Sequence, residues 1–440
     1  MSATSFLRRL FGRGDGVDQR TGYLVSLCQS LLGERGETSG AAIAREALTV
    51  YKSLDENARE QFFDVLTKDF SPSPEAVGHA ADVYRYDPTP ESLIRLQEAV
   101  EPLRQELFRR LNMAPGATAA LVEMRRLVLK GMAKHPHWKV IDHDLMHLLR
   151  SWFNRGFLKL ERIDWHTSAM VLEKLIEYEA VHAIQGWPDL RRRLDADRRC
   201  FAFFHPQMPN EPLIFIEVAL TRGMSASVQP LLDMRSSIES ATADSAIFYS
   251  ITNCQDGLRG ISFGNLLIKQ VAEVLQRELP HLRTFATLSP IPGFRRWLQR
   301  ARAQLGAGPD AGDRLALLDR IEQPGWHAND VPEPLVKLLQ QLCAWYLVNA
   351  RKGDEPLDAV ARFHLGNGAA LARLNWLGDT SQSGMDRAAG MMVNYVYRLA
   401  DVERNHERYF RHHAVVASRA VAKLARECPL ASRPPASAEA

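Results

Sequence analysis

Apolar residues recur at helical spacing through the first third of the chain, predicting helices over 19–33, 40–53, 55–67, 73–83, 90–112 and 115–134. Pro72, Pro74, Pro88, Pro90 and Pro115 stand at the boundaries of these segments, as expected of a residue that a helix tolerates only in its first turn. No strand pattern interrupts them, so residues 1–155 read as an all-helical packing or oligomerisation domain. Near Arg155-Gly156 the texture changes. Phe157 to Ile163 reads as a strand and Ser168 to Tyr178 as a helix. Cys200–Phe204, Leu213–Leu220, 246–252 and 283–288 are runs of apolar, β-branched and aromatic residues, the signature of buried strands. Strands broken by helices make residues 156–428 a mixed-sheet domain, with Arg222–Ser245 and Leu305–Pro334 as surface loops and 429–440 as a disordered tail.

One stretch combines these signals with chemistry. After the strand at 246–252 comes the loop Gly257-Leu-Arg-Gly260-Ile-Ser-Phe-Gly264, and then a helix with Leu267, Val271, Val274 and Leu275 on one face. A glycine loop that opens a helix presents free N–H groups and the positive end of the helix dipole, a place for phosphate. Downstream, Ser289 lies at a strand end, followed by Pro290 and Pro292. A turn serine bonding its own backbone is the bland alternative, and no GxSxG nucleophile elbow surrounds it.

Bulk properties narrow the field. The length of 440 residues allows two or three domains, and a formal charge of +3 argues against a dedicated nucleic-acid binder. Five scattered cysteines include no CxxC pair, which excludes a disulfide framework and suits a reducing cytoplasm. No apolar run is long enough to span a membrane, and the basic N-terminus reads as a frayed arm rather than a targeting signal. His143 and His147 have i, i+4 spacing beside His135 and His137, but no HExxH glutamate accompanies them and no metal site is expected. The Arg191–Arg193 and Arg198-Arg199 runs read as a solvated face, with a phosphate contact as the alternative. His364, in Phe363-His364-Leu-Gly-Asn367-Gly368, is either a satisfied core histidine or a functional one. Asn375, Trp376, Asn394, Tyr395 and Tyr397 follow in a segment whose polar groups must find partners.

Long irregular phrases then identify a family. AIFYSI, QDGLRGISFGNLLIKQV, FATLSPIPGF, FHLGNGAALARLNWL and NYVY resemble malonyl-CoA decarboxylases, as do LLRSWFNRGFLKLERIDWHT, EAVHAI and EPLIFIEVALT. The resemblance covers roughly residues 140–410. It implies an α+β protein, with an all-helical N-terminal domain followed by an acetyltransferase-like (GNAT) catalytic domain. By the same resemblance the loop Arg259, Gly260, Ile261, Ser262, Phe263, Gly264 and Asn265 would receive the coenzyme A pyrophosphate, with Thr252, Asn253 and Asn367 also at the substrate. The family's serine falls on Ser289, its histidine on His364 and its tyrosine on Tyr397. Some members carry a glutamate in the glycine loop where this chain has Ser262.

The implied reaction converts malonyl-CoA to acetyl-CoA and CO2. The thioester carbonyl is its own electron sink, so no cofactor is expected. Ser289 would hold the carboxylate or enolate and His364 would protonate C2; an ordinary imidazole pKa of about 6.5 leaves both forms accessible near neutrality. Backbone N–H groups near Thr252 and Asn253 would hold the thioester oxygen. The helical domain would support a homodimer or homotetramer. An acyltransferase using the same loop, and a non-enzymatic acyl-CoA-responsive scaffold, are the competing readings.

Overall fold

A computed structural model describes residues 18–33, 35–234, 238–261, 267–306, 310–328 and 330–431. The frayed arm expected before Asp18 lies outside them, as does the tail expected over 429–440 from residue 432 onward, whereas Leu430 within that tail is buried. The chain divides into two compact units. One holds the described residues up to Lys159 with those of 204–212 and 255–261; the other holds Leu160–Phe203, Leu213–Cys254 and the described residues from Leu267 onward.

The first unit is helical, as the spacing predicts. Its elements are α1 (Gln19–Leu32), α2 (Arg35–Ser53), α3 (Glu56–Asp69), α4 (Pro74–Tyr86), α5 (Pro90–Val100), α6 (Leu103–Leu111), α7 (Ala117–Gly131) and α8 (Lys139–Trp152). The single helix predicted over 90–112 is two. Glu101 precedes Pro102, whose ring pushes it out of helical geometry (φ −69°, ψ 119°), and Pro102 then starts α6. The core is built from Leu24, Cys28 and Leu31 of α1, Phe62 and Phe63 of α3, and Leu121 and Val128 of α7. Of the histidines weighed as metal ligands, His135 stacks on buried Trp138 at 4.2 Å and His137 lies 2.7 Å from Asp64, and the ligand atoms of these two histidines and Asp64 all lie within 4.8 Å of one another. Among the described residues, no helix is long and apolar enough to cross a membrane.

The second unit is a mixed sheet of β1 (Lys159–Ile163), β2 (Arg198–Phe204), β3 (Ile214–Thr221), β4 (Ser245–Asn253), β5 (Thr284–Thr287), β6 (Ser289–Pro290), β9 (Ala370–Asn375) and β10 (Met392–Val396), in the order 1-2-3-4-5-10-6 with β9 on β10. A separate pair, β7 (Arg351–Lys352) and β8 (Glu355–Pro356), lies outside this sheet. Helices α9 (Ala169–Tyr178), α10 (Trp187–Arg193), α11 (Gln229–Leu232), α12 (Leu267–Glu278), α13 (Phe294–Leu305), α14 (Ala311–Arg320), α15 (Glu333–Asn349), α16 (Ala359–Gly366), α17 (Gln382–Ala388), α18 (Val402–His412) and α19 (Arg419–Arg426) connect and cover the strands. The fold class is therefore the expected one. Pairings β2–β3 and β3–β4 are antiparallel, while β4–β5 is parallel.

Two stretches read as loops contain helices: α11 buries Leu231, and α14 buries Leu318. Their apolar stripes are too short to register as periodicity. Of the arginine runs only Arg191 is exposed, so the rest are not a solvated face. Arg192 and Arg193 are 4% and 2% exposed, paired with Asp197 and Glu217 at 2.6 Å each, and Arg199 pairs with Glu278 at 2.8 Å. The charges of Arg192, Arg193 and Arg199 are consumed internally, which leaves no phosphate contact to these three.

Candidate active site

The site begins with a slip in the sheet. Glu217 of β3 faces Ser250 of β4, but the next residue, Val218, faces Phe248, leaving Tyr249 as an extra residue in β4. The parallel pairing of β4 with β5 runs from Ser245↔Thr284 to Phe248↔Thr287 and ends there. Leu288 still donates its N–H to Phe248 O at 3.0 Å, after which β6 pairs with β10 instead, Ser289 opposite Val393. Beyond Phe248, β4 has lost its neighbour on that side. A cavity of about 230 Å³ occupies the gap, lined by Tyr249, Ile251 and Asn253 from β4, Ser289 and Pro290 from β6, and Ala359, Phe363 and His364 from α16.

Helix α16 is set by local chemistry. Asp358 caps it, its Oδ1 accepting the Ala361 N–H at 2.9 Å, and Oδ2 accepts from the Tyr346 hydroxyl at 3.3 Å. Burial raises the Asp358 carboxyl above the ordinary range. Gly293, in the SPIPGF phrase, presses on the same tyrosine; a Cβ there would come within 2.3 Å of its hydroxyl. At the other end Gly368 has φ +81°, and a Cβ would meet Val402 O at 2.1 Å. Only glycine fits that turn.

A chain of hydrogen bonds crosses the cavity wall. Ser289 Oγ donates to Thr287 Oγ1 at 2.8 Å and lies 3.0 Å from His364 Nε2; His364 Nδ1 is 2.8 Å from the Tyr397 hydroxyl. All four are buried: Thr287 0%, Tyr397 1%, His364 3% and Ser289 5% exposed. The single Ser289 proton is committed to Thr287, so His364 must donate from Nε2 to Ser289 and accept from Tyr397 at Nδ1. The Tyr395 ring stacks on His364 at 4.6 Å, and the Tyr395 N–H donates to Thr287 Oγ1 at 3.1 Å. Burial without a counter-charge lowers the His364 pKa to about 3, and burial also raises the Tyr397 phenol. The near-neutral imidazole expected from composition is thus replaced by one held neutral.

The polar residues around this chain brace it. Asn394 Nδ2 donates to Thr287 O at 2.7 Å, and Asn394 Oδ1 accepts from Asn375 at 2.8 Å and Arg373 at 3.0 Å. Asn367 ends α16, its side-chain amide donating to Phe363 O at 2.8 Å, and is not among the cavity-lining residues. Asn253 lines the cavity, whereas Thr252, one step along the pleat, donates to Glu179 Oε2 at 3.3 Å. In the glycine loop, Gly260 takes φ +77°, Ile261 is buried and Arg259 is exposed. Ser262, Phe263, Gly264 and Asn265 lie outside the described residues, so the serine-for-glutamate departure has no geometry here.

Residue-level reasoning missed Glu179 and Val181. The Glu179 carboxylate gathers the N–H groups of Val181 at 2.7 Å and His182 at 2.8 Å with the Ser250 hydroxyl at 2.7 Å, and Val181 lines the cavity. The phrase EAVHAI carried the only signal.

A family model described as "Malonyl-CoA decarboxylase C-terminal domain" matches residues 156–434, and one described as "Malonyl-CoA decarboxylase N-terminal domain" matches residues 70–153. The chain belongs to the malonyl-CoA decarboxylase family. The mitochondrial malonyl-CoA decarboxylase of Anser anser anser is 38% identical over 356 residues, covering 74% of this chain and 70% of that protein. The crystal structure of malonyl-CoA decarboxylase from Rhodopseudomonas palustris is similar at 49% identity and a TM-score of 0.86, over 92% of this chain and 99% of that one. The structure of the Agrobacterium vitis enzyme is similar at 49% identity and a TM-score of 0.85, over 91% of this chain and 99% of that one.

Proposed function

We propose that this protein decarboxylates malonyl-CoA to acetyl-CoA and CO2 without a cofactor, in the cavity where Ser289 meets His364. Family membership supports the reaction, and the buried Ser289–His364–Tyr397 chain supports the roles. Among the described residues lining the cavity, none is lysine or arginine; the walls include Val181, Ile251, Pro290, Val360 and Phe363. A carboxylate delivered there sheds water and gains no counter-charge, while departing CO2 is apolar. Binding energy from the coenzyme body offsets that cost, so the apolar setting favours the step that removes the charge.

The C–C bond electrons pass into the thioester carbonyl, giving an enolate. Ser289 turns its proton from Thr287 to the substrate oxygen, and Nε2–H of His364 stands behind it. A thioester enolate carbon is a far stronger base than any group in the chain, so a neutral imidazole suffices as proton donor to C2, with Tyr397 holding its tautomer. The loop containing Arg259, Gly260 and Ile261 takes the coenzyme phosphates, with the exposed Arg259 side chain as its cation, and Asn253 stands at the cavity where the thioester oxygen needs a donor. Scattered cysteines, all free in the structure, suit a reducing cytoplasm. The α4–α5 hairpin supports homo-oligomerisation: α4 buries no residue and α5 only Ser92, leaving Ile94 and Tyr86 53% and 93% exposed.

The test is incubation with malonyl-CoA and a chelator, without an acyl acceptor, followed by mass. Stoichiometric acetyl-CoA and CO2 are expected. Release of free thiol only when an amine acceptor is added would favour acyl transfer instead.

A further inference from the structure

The glycine loop after β4 is built into the helical unit. Residues 255–261 cluster with α7 rather than with the sheet from which they emerge. Arg125, on α7, is 2% exposed, and its Nη1 donates to Gly257 O at 2.7 Å and to Arg259 O at 2.9 Å. Its Nε donates to Asp142 of α8 at 2.8 Å, which fixes the guanidinium plane. Gly257 lies so close to α7 that a Cβ would stand 2.0 Å from Val122 O. Arg126 and Lys130 of the same helix line, with Asp256 and Arg259, a cleft of about 210 Å³. Within the loop the Leu258, Arg259 and Ile261 N–H groups are spent on Gln255 O, Asp256 O and Leu258 O, so Arg125 completes a turn whose backbone is tied from both sides.

We infer that Arg125 is a positioning residue for coenzyme binding: through Gly257 O and Arg259 O it holds residues 257–259 of the phosphate loop in the conformation that receives the coenzyme. This rests on the loop being the phosphate loop. A fork of three charge-assisted donors does this and a point charge does not, so Arg125→Lys is a partial replacement.

The experiment measures acetyl-CoA affinity by calorimetry, malonyl-CoA turnover, and hydrogen exchange of the 257–261 amides, using the full-length protein. Arg125→Ala is expected to raise the acetyl-CoA Kd and the malonyl-CoA KM together by about ten-fold or more, with kcat at saturation within about three-fold. Arg125→Lys and Asp142→Asn should fall between it and the wild type, with faster exchange confined to the loop. If Arg125→Ala does not fold, those two variants carry the same comparison. A purely structural arginine would lower Tm and leave the Kd of the folded protein unchanged; that result, or a loss in kcat with Kd intact, would overturn the inference. Wild-type protein that fails to bind acetyl-CoA would overturn the phosphate-loop assignment as well, whereas wild-type binding with unaffected variants would overturn the role of Arg125 alone.

Discussion

His364 carries a functional consequence that its sequence neighbours do not reveal. Ser289 and His364 were legible as candidates because each lies in a long family phrase, and the structure brings them to 3.0 Å. The depressed histidine was not legible, since burial comes from Tyr395 and the sheet rather than from adjacent residues. With a folded pKa of about 3 against 6.5 unfolded, the neutral ring stabilises the fold fully above pH 6.5, and that contribution is lost as pH falls toward 3. Between pH 7 and 5 the wild type should therefore lose roughly 2 kcal/mol more than His364→Gln, read by denaturant unfolding. Equal losses would show that the histidine is not held neutral. Tyr397→Phe removes the donor to Nδ1 and should lower kcat by roughly ten-fold while leaving acetyl-CoA affinity in place; unaltered kcat would remove Tyr397 from the tautomer argument.

At the scale of elements, the strand runs at 246–252 and 283–288 were readable, yet their divergence was not. The extra residue Tyr249 is apolar like its neighbours, and only the register with β3 shows the slip. Strands β9 and β10 escaped notice because Arg373 and Asn394 interrupt the apolar pattern; both are spent on the brace beneath Thr287. Helix α16 owes its position to its cap. Asp358→Ala should cost about 1–2 kcal/mol of stability and lower kcat more than it weakens acetyl-CoA binding, because the helix carries Phe363 and His364. A variant with wild-type stability would show that Asp358 does not fix the helix.

For the molecule as a whole, helical and mixed-sheet parts were evident from periodicity alone. Less evident was that 255–261 leave the sheet unit for the helical one, since the tight Gly257–Val122 approach is a long-range fact. The unburied α4–α5 hairpin predicts self-association through that face. Sedimentation should give a species larger than the 49.6 kDa monomer, and Ile94→Asp should reduce it to the monomer. A wild-type monomer would contradict the oligomer assignment without touching the chemistry.

The most direct measurement compares His364→Gln and Ser289→Ala with the wild type for both malonyl-CoA turnover and acetyl-CoA Kd. A fall in kcat on the order of 10²–10⁴-fold, with Kd within about three-fold of the wild type, is the predicted result. Full turnover in either variant, from a folded protein that still binds acetyl-CoA, would contradict the assignment of that residue to the reaction.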